Sequence, residues 1–139
     1  MSGTVGGTVG LALACLLAGA CGGSRPAPRR PAPPDPKLVA QDLHRAMNEM
    51  AAIASRRRAD CARMELELRE LFGRMRVSVD HAKRMAEDPA LAKQLTAELR
   101  AYDDADRGLS DAIFADLVAC KDHRGVQDAM ATMPIVPAP

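Results

Sequence analysis

Aromatic residues are almost absent. The 139-residue chain holds Phe72, Phe114 and Tyr102 and no tryptophan. A core of Leu, Ala, Val and Met buries less area per residue than an aromatic one. A domain of this size therefore gains from a covalent staple. No charged side chain precedes Arg25, and no excess of one sign follows it: the formal net charge is +1. Three of the 19 basic and one of the 18 acidic residues lie before Lys37, leaving 16 and 17 beyond it. That balance argues against a nucleic-acid partner. No apolar run reaches the roughly 20 residues that a membrane-spanning helix takes. There is no GxSxG, HExxH, P-loop or glycine-rich nucleotide turn, so no residue is nominated as catalytic and the chain is expected not to be an enzyme. CxxC spacing is missing as well. Cys120-Lys121-Asp122-His123 lacks the second cysteine that covalent haem attachment needs.

What is present begins with Leu11 to Cys21, LALACLLAGAC. A polar, glycine-rich stretch precedes it, the apolar part spans residues 11–18, and Ala18-Gly19-Ala20-Cys21 closes it with small residues before a cysteine. This resembles the signal and lipobox of bacterial lipoproteins over the first two dozen residues. The resemblance implies removal of residues 1–20 and lipidation of Cys21, with Cys15 leaving in the discarded segment. Gly22 to Pro36 follows, GGSRPAPRRPAPPDP, too dense in proline for helix and suited to an extended, disordered tether. Pro28 to Pro31 also fits the PxxP ligand pattern, a weaker reading than a spacer.

Asp35-Pro36 opens the domain. Asp is a good N-cap, and Pro suits the first helical position because its missing N–H is unpaired there anyway. Leu43, Met47, Met50 and Ala54 then recur at alternating four- and three-residue steps. The phase continues through Arg57 to Cys61, Met64, Leu68, Leu71, Met75, Ser78, Ala82 and Met85. One helix from Pro36 to Ala86 would be ~77 Å long, with its first half largely unpartnered. A break near Arg58-Asp60, with Asp60 as the next cap, is preferred. Asp88-Pro89 repeats the cap signal and forces a turn, since a residue before proline avoids helical geometry. The third stripe is Leu95, Leu99, Tyr102, Leu109, Ile113, Leu117 and Cys120, with a kink possible at Gly108-Leu109-Ser110-Asp111. Gly125 reads as the helix stop, 126–132 as one more short turn, and 133–139 as an extended tail.

The fold expected is all-α: an antiparallel helical hairpin extended to a three-helix bundle on the Pro-rich tether. The partition is 1–20 signal, 21–35 lipidated N-terminus and linker, 36–132 helical domain and 133–139 tail. Folding the hairpin about Asp88-Pro89 brings Cys61 and Cys120 to the same height on facing stripes, which reads as a disulfide in an oxidising compartment. Buried free thiols, a metal pair and a redox pair are the alternatives.

Each histidine has methionine near it: His44 with Met47, His81 with Met85, and His123 with Met130 and Met133. Such ligands suit copper or the axial positions of a haem, and His44, Met47, His81 and Met85 form the candidate set. Methionines on the apolar stripe are more simply core fillers, so no cofactor is expected. Asp103, Asp104 and Asp106 lack EF-hand spacing and read as a solvated face. Arg56-Arg57-Arg58 reads as a solvated face or a helix-end signal rather than a lipid contact. The function expected is a non-catalytic, lipid-anchored envelope protein, facing the periplasm or the outside. Its partners would be the membrane through the N-terminal lipid and an envelope protein or a second copy, not nucleic acid. The alternative is a periplasmic copper- or haem-binding bundle.

Overall fold

The computed structural model describes residue 32 and residues 34–136. The expectations placed on residues 1–31, including the signal, Cys21 and most of the tether, lie outside the described residues. The described residues are all-helical and contain no strand. Five helices follow one another: α1 (Pro36–Arg56), α2 (Cys61–Ala86), α3 (Pro89–Ala105), α4 (Leu109–Leu117) and α5 (Arg124–Ala131), with a 3-10 turn at Val118–Cys120. No helix among the described residues is long and apolar enough to cross a membrane.

Aspartates start the first three helices. Asp35 accepts from the Lys37 amide at 2.9 Å, Asp60 from Arg63 at 3.0 Å, and Asp88 from Ala90 and Leu91 at 2.8 and 3.3 Å. Each bond satisfies an N–H that a helix start leaves without an intrahelical partner. The break before Asp60 lies where the caps place it, although the apolar phase runs straight through. The Asp60 amide bonds back to the Arg57 carbonyl at 2.8 Å and closes the turn.

The third stripe departs from expectation. It is not one kinked helix but two, parted at Asp106–Gly108. Gly108 has φ +97°, a left-handed conformation that costs an L side chain and not glycine. Its carbonyl then accepts from Ala112 to begin α4. Gly125 also departs from expectation. The stretch before it ends at Cys120, and Gly125 lies inside the first turn of α5, which His123 caps through Nδ1 accepting from Val126 at 3.3 Å. A Cβ on Gly125 would meet the carboxylate of Glu65 on α2, the far end of a side chain that can swing aside. That carboxylate sits at the positive end of α5, where negative charge is favoured.

Two apolar clusters make the core. One joins Met50, Ile53 and Ala54 of α1 to Met64, Leu68, Leu71, Phe72 and Met75 of α2, with Ile113, Leu117, Cys120, Val126 and Ala129. The other joins Val39, Ala40 and Leu43 to Val79, Ala82, Met85 and Leu95. The pairing of early α1 with late α2 makes these two helices antiparallel. Residues 133–136 are not helical and run along the surface between the clusters: Met133 packs on the first and Val136 on the second.

Cys61 opens α2 and Cys120 ends the 3-10 turn. They are joined as a disulfide with Cα atoms 5.5 Å apart, within the spacing such bonds need.

Candidate functional site

An apolar concavity lies where α1 meets the α3–α4 corner. It is a groove of about 540 Å³. Leu43, His44 and Met47 line it from α1, Met75 from α2, Leu99, Tyr102 and Asp106 from the end of α3, and residues 133–136 form its outer wall. These residues converge for local reasons. Leu43, His44 and Met47 occupy one side of α1 at three- and four-residue spacing. Tyr102 and Asp106 are four apart, so they lie one turn above the other at the end of α3. The left-handed turn at Gly108 then carries the chain away and leaves the groove open.

His44 is the polar centre of the groove. Its ring stacks on Tyr102 with centroids 4.1 Å apart and planes 14° from parallel. Its Nε2 donates to the Asp106 carboxylate, which accepts because it has no proton to give. The Asn48 side-chain amide lies 3.0 Å from the same ring nitrogen and donates to the His44 carbonyl at 3.2 Å. The His44 hydrogen bond holds the Asp106 carboxyl below the usual aspartate range, with a smaller contribution from Asn48 and some opposition from desolvation. The arrangement fixes the imidazole between a ring and a carboxylate. No nucleophile stands within hydrogen-bond reach of the imidazole among the described residues.

The histidine–methionine set is divided by the fold. His44 and Met47 share the groove. Met85 is buried in the second apolar cluster, and His81 is half-buried on α2 outside the groove lining. Among the described residues, no three His, Cys, Asp or Glu side chains gather as a metal site.

The arginine run is more structured than a solvated face. Arg56 and Arg57 both bind Glu67, at 2.7 Å and 2.8–2.9 Å, Arg63 approaches it at 3.7 Å, and Arg58 reaches Asp116 at 3.5 Å. Glu67 is only 19% exposed. The Arg57 hydrogen bond, then the Arg56 one, lowers its pKa from 4.5 to about 2. A carboxylate whose folded pKa is depressed contributes stability above its unfolded pKa, and that contribution is lost as pH falls toward the folded one. Stability should therefore decline between about pH 4.5 and pH 2. In Glu67→Gln that part of the acid slope should be missing, as read from urea midpoints across the window. An unchanged slope in the variant would remove Glu67 from the acid response.

Tyr102, Asp103 and Asp106 are groove residues that the sequence assigns elsewhere, Tyr102 to the core and the two aspartates to a solvated face. The i, i+4 spacing of Tyr102 and Asp106 was the available signal, but their partner His44 is 62 residues from Asp106. Comparison with family models, with curated proteins and with solved structures finds no match to this chain.

Proposed function

We propose that the chain is a lipid-anchored protein of the bacterial cell envelope. Its helical domain is a non-catalytic structural or protein-interaction module, and the Pro-rich segment is the tether. Within it α1, α2 and the α3–α4 pair are the three arms of the bundle. The observation that carries this reading is the Cys61–Cys120 disulfide, because such bonds persist in oxidising compartments and are rare in the cytosol. The sequence adds two supports: small residues before Cys21 after a short apolar stretch, and an immediate run of prolines. The tether enters α1 at Asp35.

The copper or haem alternative has less to rest on. His44 and Met47 share the groove without His81 and Met85, and His44 is already committed through Nε2 to Asp106.

The mass of the mature N-terminus from cells tests the anchor. A diacylglyceryl-type modification on Cys21 with residues 1–20 removed is the expected result, and Cys21→Ser should shift the protein from the membrane to the soluble fraction. An unmodified chain still beginning at Met1 sinks the reading.

A further inference from the structure

We propose that the groove beside Tyr102 is a binding site for a cationic amphiphile, an aliphatic chain carrying one positively charged head group. The inference goes beyond the anchoring reading and does not depend on it.

The groove, at about 540 Å³, falls within the range of small-molecule sites. Its floor is aliphatic: Leu43, Met47, Met75 and Leu99. Methionine is unbranched and polarisable, so such a floor adapts to a flexible chain rather than demanding one rigid shape. The outer wall is also adaptable. Among the described residues, Pro134, Ile135 and Val136 make no backbone hydrogen bond, and Val136 is the one that packs on an apolar cluster. Segments held that way open at low free-energy cost. Ile135 is 71% exposed, so the wall still presents apolar surface that a bound chain would cover.

The polar groups gather at one end and their balance is negative. Asp103 and Asp106 line the rim beside Arg107, and Asp104 is adjacent. Arg107 reaches Asp104 at 3.5 Å, and Asp106 is held by His44. Asp103 has no cation within ion-pair distance among the described residues. The lining from α1, α2 and the tail brings no Lys or Arg to the groove. An anionic head would meet Asp103 and Asp106 with only Arg107, already shared with Asp104, to offset them, whereas a cationic one meets Asp103 with its chain running over Met47 toward Met75.

The test uses the full chain carrying Cys21→Ser, so that no acyl group of its own competes. Dodecyltrimethylammonium, dodecyl maltoside and dodecyl sulfate are titrated below their micelle concentrations, with Tyr102 ring signals followed by NMR. The cationic probe should saturate at one per chain and bind about fivefold tighter than the neutral one, the scale of an exposed ion pair. Asp103→Asn should bring the cationic probe down to the neutral one and leave the neutral one unchanged. Met47→Trp, which fills the floor, should weaken both at least about tenfold while circular dichroism stays unchanged. Saturable binding by none of the probes overturns the site. Equal or tighter binding of dodecyl sulfate, or no response to Asp103→Asn, overturns the cationic head group. If Met47→Trp loses helicity, Leu43→Phe is the second filling variant and is held to the same outcome.

Discussion

Removing the Cys61–Cys120 bond should lower the unfolding free energy by about 4 kcal/mol. In the chain-entropy account a cross-link restricts the unfolded ensemble, and the effect grows with the logarithm of the loop it closes. The separation of 59 residues is long, which puts the value near the upper end. The position of the bond adds to the effect. It ties the first residue of α2 to the turn that leads into α5, and α5 docks on α2 with few apolar residues of its own buried, Val126 and Ala129. The variant to use is Cys61→Ala with Cys120→Ala. Serine at position 120 would bury a hydroxyl in a site 2% exposed and confuse the result. Urea unfolding of the double variant and of reduced wild type should agree, with a melting temperature lower by about 20 °C for a domain of this size. A loss under about 1 kcal/mol would mean that apolar packing alone holds this end together.

Phe72→Ala should lower stability by about 3–5 kcal/mol, the range for truncating a buried aromatic. Phe72 is 2% exposed and is the only fully buried aromatic of the domain. It shares its apolar cluster with Leu, Met, Ile and Ala side chains of four helices, α1, α2, α4 and α5, so no single movement closes the space it leaves. Phe114→Ala is the matched control. That phenyl ring is 62% exposed on the outer face of α4, and its loss should change stability by no more than about 0.5 kcal/mol. Similar urea midpoints for the two variants would show that the core tolerates the hole.

The Phe72 and Phe114 pair shows how far a periodic reading reaches. The stripe through Leu68, Leu71 and Met75 leaves out Phe72, and the same step leaves out Val79; both are buried. A single stripe describes a helix covered from one side. α2 is covered by α1 and also by α3 and α5, so its buried face is wider than one seam. In α1 the opposite happens at Met47. It lies on the stripe yet is only half-buried, because the groove opens beside it.

Helix starts were the most legible part of the fold, because each is written in adjacent residues. Asp35-Pro36, Asp60 and Asp88-Pro89 carry their own capping chemistry and need no distant partner. The Cys61–Cys120 pairing was legible for a different reason: a hairpin with one clear turn brings residues equidistant from that turn to equal height. Gly108 and Gly125 were misjudged because a glycine's role depends on what surrounds it. One takes a positive φ that ends a helix within a continuous apolar phase. The other sits inside a helix, beside the Glu65 carboxylate.

The sequence by itself determined the all-helical class, the places where the first three helices begin, and the staple that ties Cys61 to Cys120. Those features follow from local hydrogen bonding, from spacing along one helix, or from symmetry about a single turn. Only the tertiary structure decided the partners of the charged groups and the existence of the groove. Glu67 draws its arginines from across a turn. His44 finds Tyr102 and Asp106 from two helices further on, and the tail closes a wall that no local pattern announces. Electrostatic and stacking contacts act through space over a few ångströms, and separation along the chain does not record them.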